Sequence, residues 1–201
     1  ATEWGTLWEN ISPGFYKVAK YLIYPGVHQP TAPFELVVNK DVWDFDTASQ
    51  PVLFDFERPD GTKVPAVAQG TKMGHVFLLN RETGEPLYPI EALREALVNA
   101  ICHRDYTQWG GSLEIAIYDD RLEIGNPGTL HFGMKPEDLT REHPSRPWNP
   151  HIANAFYRRG IIEHWGRGTN RIVELTTAAG LPEPEFIVTS TDFRVRFWNG
   201  R

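Results

Sequence analysis

The feature that most constrains this chain is a change of periodicity part-way along it. In the stretch 76 to 106, VFLLNRETGEPLYPIEALREALVNAICHRDY, an unbroken apolar run ends in turn chemistry and gives way to helical spacing across EPLYP. Before that point, short β-type runs alternate with turns. They are FELVV (34 to 38), PVLFDF (51 to 56), VPAVAQ (64 to 69) and HVFLLN (75 to 80), with PDG at 59 to 61 and TG at 83 to 84 between them. After it the order is helix, hairpin, long polar loop, two helices and a closing pair of strands. The sequence therefore predicts a β-rich segment over 34 to 87 and an α+β domain over 88 to 201. Residues 1 to 33 form a leader, where LWENI and FYKVAKYLIY give weak helical spacing interrupted by Pro13 and Gly14.

The helix after the join carries the sharpest pattern. At about 100° per residue, Ile90, Leu93, Leu97, Ala100 and Ile101 share one apolar face, suited to packing on a sheet. Glu95, Asn99 and His103 recur every fourth residue on a stripe roughly opposite. A carboxylate, an amide and an imidazole in a row can orient water, hold a divalent cation through oxygen, or form a solvated face. Spacing alone favours the solvated face.

Further residues shift that balance. SLEIAIYDDRLEIGNPG (112 to 128) alternates like a hairpin, turns at Asp119 and Asp120, and ends on Asn126, Pro127 and Gly128. TLHFGMKPEDLTREHPSRPWNP (129 to 150) has four prolines and no apolar period, which predicts a loop of about 20 residues acting as a lid. HIANAFYRRG (151 to 160) predicts a short helix closed by Gly160. In IIEHWGRGTNRIVELTTAAG (161 to 180), Gly166 and Gly168 precede a helix capped by Gly180. A glycine turn opening a helix lets backbone N–H groups approach an anion, and Arg167 and Arg171 add charge for phosphate. Alone, such a turn is more often structural; following the acid and amide helix, it is one part of an ordered set.

Composition narrows the classes. The chain has 201 residues, 41% hydrophobic, enough for one core or two small ones. No apolar run reaches the ~18 residues that cross a membrane, and no secretory leader is evident at the N-terminus, so a cytoplasmic setting without membrane contact is expected. The single cysteine, Cys102, excludes an internal disulfide. A net charge of −6 supplies no global attraction for nucleic acid, so DNA contact is expected only through another chain or a domain not evident here.

With YPIEALREALVNAICHRDY, DDRLEIGNPGTL, RPWNPHIANAFYRRGIIEHWGRGTNRIVE and GLPEPEF in this order, residues 86 to 198 resemble the ATP-binding domain of RecG-related helicases and transcriptional regulators. That group is a branch of the gyrase, Hsp90, histidine kinase and MutL (GHKL) superfamily. The resemblance implies a Bergerat-type α/β sandwich, ATP and magnesium as ligands, and a homodimer as an allowed state. It implies Glu95 as the base that activates water, Asn99 as a magnesium ligand and His103 as a supporting partner. Asn126 and Gly128 would lie near the adenine, and Gly166, Arg167, Gly168 and Arg171 near the phosphates. The superfamily's D-x-G turn stands here as Asn126-Pro127-Gly128, and an asparagine accepts a hydrogen bond less strongly than a carboxylate. Longer relatives carry a Schlafen AlbA-type DNA-binding domain and a winged helix.

The segment DVWDFDTASQPVLFDFERPDGTKVPAVAQGTKMGHVFLLNRETGEPL (41 to 87) is similar to a blade of the pyrroloquinoline quinone (PQQ) dependent glucose and alcohol dehydrogenases, which are eight-bladed propellers. The resemblance places Asp44, or its neighbour Asp41, at the proton-abstracting position and Lys72 at the quinone contact. A quinone on a propeller axis needs side chains from many blades, so one blade-sized segment is not expected to hold PQQ. The sequence thus predicts a chimera-like chain that binds ATP, with slow magnesium-dependent hydrolysis as an extension. The competing readings are a non-catalytic β-rich interaction protein carrying relics of two families and, more weakly, a fragment of a PQQ dehydrogenase.

Overall fold

A computed structural model of the chain describes residues 15 to 18, 36 to 38, 50 to 58, 60 to 71, 75 to 130, 133 to 141, 146 to 162 and 167 to 200. Over these residues the fold is of the mixed α+β class, with three antiparallel sheets and three α-helices. Its contacts divide it into two units, residues 1–56 with 63–90 and residues 57–62 with 91–201.

In the first unit, β1 (Phe15–Val18) pairs antiparallel with β2 (Leu36–Val38). The helical spacing expected around FYKV therefore gives way to a strand, because four residues are too few to distinguish the two periods. Strands β3 (Val52–Glu57), β4 (Lys63–Gly70) and β5 (Val76–Asn80) form a second sheet in that order. The turn between β3 and β4, whose residues group with the second unit, is built on Asp60 and Gly61. Gly61 takes φ +82°, and Asp60 Oδ1 accepts from the Thr62 amide at 2.8 Å. After β5, Asn80 Oδ1 accepts from the amides of Glu82 and Thr83, and the Gly84 N–H donates to the Asn80 carbonyl at 2.8 Å. That turn folds Pro86 back beside Leu79. Val76, Phe77, Leu78 and Leu79 are all buried, so β5 is covered on both faces, and Tyr88 meets Phe56 edge-on at 5.8 Å.

In the second unit, strands β6 (Glu114–Ile117), β7 (Arg121–Pro127), β8 (Glu185–Val188) and β9 (Asp192–Trp198) form an antiparallel sheet in the order β6-β7-β9-β8. Register pairs Leu122 with Phe197 and Ile124 with Val195, which puts four fully buried apolar side chains on one face. Asn126 falls on that same face two residues further on. The opposite face carries charge: Glu123 accepts from Arg121 at 2.8 Å and Arg196 at 2.7 Å, with Arg194 at 3.5 Å. Burial pushes the Glu123 carboxyl up, but the hydrogen bonds and charges of Arg121 and Arg196 outweigh it and hold it below the usual carboxylate range.

Helix α1 (Ile90–His103) is followed along the chain by α2 (Pro150–Arg158) and α3 (Gly168–Ala178). Val98 and Cys102 of α1 pack with Ala153 of α2, and Ile152, Phe156, Ile161 and Ile162 close that cluster. The predicted lid is not wholly irregular, because Pro136–Asp138 form a single 3-10 turn. The Leu139 side chain after that turn is buried, and its carbonyl accepts from the Thr169 hydroxyl at 2.6 Å. No helix among the described residues is long and apolar enough to cross a membrane.

Candidate functional site

Helix α1 sets the site, and no residue along it is exposed. Ala92, Ala96, Val98 and Cys102 are buried in addition to the predicted apolar face, so the Glu95, Asn99, His103 stripe is half-buried. Those three residues thus stand on a half-buried face.

Asn99 lies directly against the start of α3. A β-carbon at Gly168 would sit 2.7 Å from Asn99 Nδ2 and 3.0 Å from its Oδ1, so only glycine leaves the amide its place. One cleft of about 120 Å³ is lined by Glu95 and Ile162 together with Arg167, Gly168, Asn170, Arg171 and Glu174. The structure brings Glu95, Arg167, Gly168 and Arg171 to one cleft, and Asn99 borders them through Gly168. The 3-residue opening of α3 presents backbone N–H groups and the positive end of the helix at this cleft.

The N-P-G turn is placed by the other end of α1. Gly128 takes φ +126°, and a β-carbon there would come within 3.0 Å of the His103 carbonyl. The Asp105 N–H donates to the Pro127 carbonyl at 2.8 Å, and the Gly128 N–H donates to Thr191 at 2.7 Å. Asn126 is buried; its Nδ2 donates to the Pro127 carbonyl at 3.0 Å, while its Oδ1 is left without a hydrogen-bond partner. A buried acceptor in that state costs free energy unless a donor reaches it. Gly166, Asp41, Asp44 and Lys72 lie outside the described residues.

Three contributors escaped the sequence patterns. Arg94 donates to Glu91 at 2.7 Å, to Glu95 at 2.6 Å and to the Ile161 carbonyl at 2.5 Å. Asn149 donates through its side chain to the carbonyls of Cys102 at 3.1 Å and Arg104 at 2.7 Å. It precedes Pro150, which is the signature of a helix N-cap, yet its amide closes the end of α1 instead of the start of α2. Trp148 Nε1 donates to the Thr129 carbonyl at 2.9 Å, joining the two ends of the lid.

With this geometry in view, likenesses to known proteins can be set beside it. Residues 110–197 match the family described as "Putative ATP-dependent DNA helicase recG C-terminal". Residues 35–97 match the family described as "Glucose/ethanol/alcohol dehydrogenase, beta-propeller domain". The chain carries both likenesses. The second span runs past the join and includes Glu95, and residues 98 to 109 fall in neither.

Among curated proteins, the chain is 45% identical over 99 residues to a probable quinate dehydrogenase (quinone) of Xanthomonas campestris pv. juglandis, covering 47% of this chain and 11% of that protein. It is 51% identical over 53 residues to the glycerol dehydrogenase large subunit of Gluconobacter thailandicus, covering 26% of this chain and 7% of that one. The chain thus spans only about a tenth or less of these relatives. The crystal structure of the DIP2311 protein from Corynebacterium diphtheriae shares its fold, with a TM-score of 0.51 at 23% identity over 58% of this chain and 21% of that one.

Proposed function

We propose that residues 88 to 201 form a GHKL-type α/β sandwich that binds ATP with magnesium, and that hydrolysis, where it occurs, is slow. The observation that carries this is the contact between Asn99 and Gly168, because it joins the acid and amide helix to the glycine that opens α3, within one cleft. An amide oxygen, a nearby carboxylate and the N-terminus of a helix are the groups a magnesium-bound triphosphate uses. Arg167 and Arg171 add charge at the same wall.

The buried, unpartnered Asn126 Oδ1 supports the adenine end, since its own Nδ2 is committed to Pro127 and the oxygen can accept only from a donor such as an exocyclic amino group. Among the described residues no cluster of three or more His, Cys, Asp or Glu side chains forms a metal site by itself. Magnesium would therefore rest on Asn99 and on oxygens of the nucleotide. Glu95 would hold the attacking water as general base, and the ion pair it makes with Arg94 favours binding over rapid turnover.

The β-rich segment over 34 to 87 is proposed as an addition without quinone chemistry. Titration calorimetry tests the whole reading: ATP with magnesium should bind, GTP should bind more weakly because its 6-oxo group offers Asn126 Oδ1 an acceptor, and Asn99→Ala should abolish the heat. No heat from either nucleotide would leave the interaction-protein reading in its place.

A further inference from the structure

Strand β6 (Glu114–Ile117) stands at one end of the second unit's sheet, and among the described residues no strand pairs with its outer edge. At the other end, β8 has the 3-10 turn Pro136–Asp138 beside it. Which main-chain groups β6 offers follows from its hairpin turn. The Tyr118 N–H donates to the Arg121 carbonyl at 2.8 Å, so Tyr118, Ala116 and Glu114 direct their main-chain hydrogen bonds to β7. Ile115 and Ile117 alternate with them, and their N–H and C=O groups point away from β7. Their side chains share the apolar face with their cross-strand partners Ile124 and Leu122, yet Ile115 stays 39% exposed, as does 42% of Tyr118 beside the turn. The run from Glu114 to Tyr118 holds no lysine, proline or bulge, the devices that usually blunt such an edge.

We infer that this edge pairs antiparallel with β6 of a second copy of the chain, about a twofold axis at Ala116. Self-complementarity selects that occupant. With Ala116 facing its own counterpart, Ile115 meets Ile117 of the second copy, and each exchanges its outward N–H and C=O with the other. The exposed isoleucines then lie side by side on one continuous apolar face. Glu114, which accepts from Arg194 of its own chain at 2.9 Å, stands across from Tyr118 of the second copy. That tyrosine ring carries the Arg121 guanidinium at 3.9 Å, so a carboxylate meets a cation on each side of the axis. Other registers lose this match. An axis at Glu114 would set that carboxylate against its own copy, an axis at Ile117 would set it against Asp120, and an axis at Ile115 would leave it facing Ala116. Strands this short bury less than the roughly 1,600 Å² of a standard interface, so the dimer forms reversibly and its population rises with concentration.

The test uses the full chain in sedimentation velocity over a rising concentration series, beside oxidative crosslinking of single-cysteine variants. The unaltered chain should pass from monomer to dimer. Ile115→Pro should abolish the dimer and leave the hairpin standing, because the N–H it removes points out of the sheet. Ala116→Cys should form an intermolecular disulfide, since antiparallel neighbours without mutual hydrogen bonds stand about 4.5 Å apart at Cα, within disulfide reach. Glu114→Cys, at the more exposed position, should not, because it faces Tyr118 of the second copy and not itself. The native thiol of Cys102 is buried and does not compete. The two cysteine variants decide the matter even where Ile115→Pro fails to fold. A monomer at every concentration, a dimer that survives Ile115→Pro, or Glu114→Cys crosslinking as fast as Ala116→Cys overturns the pairing.

Discussion

Gly168 faces the Asn99 side chain so closely that a β-carbon there would lie 2.7 Å from the amide nitrogen. The glycine is needed at this point for close approach between α1 and α3, and its role as a helix-opening turn residue is secondary. Replacing it with alanine separates fold from site. Alanine gains up to about 1 kcal/mol of helix propensity over glycine, which offsets part of the crowding. Gly168→Ala should therefore leave the thermal midpoint without ligand near its starting value, while the Asn99 amide is pushed aside and stabilisation by magnesium ATP is lost. Equal loss of both in a thermal melt would contradict this division of roles.

Asn149 gives a second prediction, because its position suggests one job and its contacts show another. Its amide donates to the Cys102 and Arg104 carbonyls at the end of α1. Asn149→Ala should cost about 1–2 kcal/mol in urea denaturation, the range for a lost hydrogen bond to a partly buried carbonyl. Asn149→Asp should cost at least as much, since a carboxylate cannot donate to a carbonyl. Retained stability in the aspartate variant would instead assign the residue to capping α2.

The arginine cluster around Glu123 predicts an acid limb of stability. Its folded carboxyl is held below the ordinary 4.5 by the Arg121 and Arg196 hydrogen bonds, which outweigh burial. A group lowered on folding contributes its full stability above the unfolded value and loses it as the pH falls through the folded one. Stability should therefore begin to fall below about pH 4.5 and keep falling beyond it. Glu123→Gln should flatten that limb and cost roughly 1–3 kcal/mol near neutral pH, as it leaves charged donors without their acceptor. A limb of the same steepness in the variant would assign the acid sensitivity elsewhere.

Cys102 is buried between α1 and α2, and burial pushes its thiol up to about 12. Only the thiolate reacts with thiol reagents. Native protein at pH 8 should label with a disulfide reagent only at the rate at which it opens, and denatured protein at once. Fast labelling of the native chain would contradict the packing of Val98, Cys102 and Ala153.

The parts of the fold legible in the sequence are those set by local period and turn chemistry. The unbroken apolar run of VFLLN, the Asp60–Gly61 and Thr83–Gly84 turns, the helical face of Ile90, Leu93 and Leu97, and the hairpin at Asp119–Asp120 all form where the residues indicate. Of the candidate site residues, the structure brings Glu95, Arg167, Gly168 and Arg171 to one cleft, with Asn99 against Gly168. Illegible were effects that depend on a partner far along the chain. Arg94 meets Ile161 across 67 residues, and Asn149 meets Cys102 across 47, with no spacing to announce either. The strand at Phe15–Val18 carries too little period in four residues to be told from helical spacing.

The central claim is that α1, the N-P-G turn and the start of α3 form one nucleotide site. It is tested most directly by a crystal structure of the full chain with a non-hydrolysable ATP analogue and magnesium. The terminal phosphates should lie at the N–H groups that open α3 beside Arg167, with magnesium on the Asn99 oxygen and the exocyclic amino group of adenine on Asn126 Oδ1. A nucleotide bound elsewhere, or none at saturating concentration, would contradict the account.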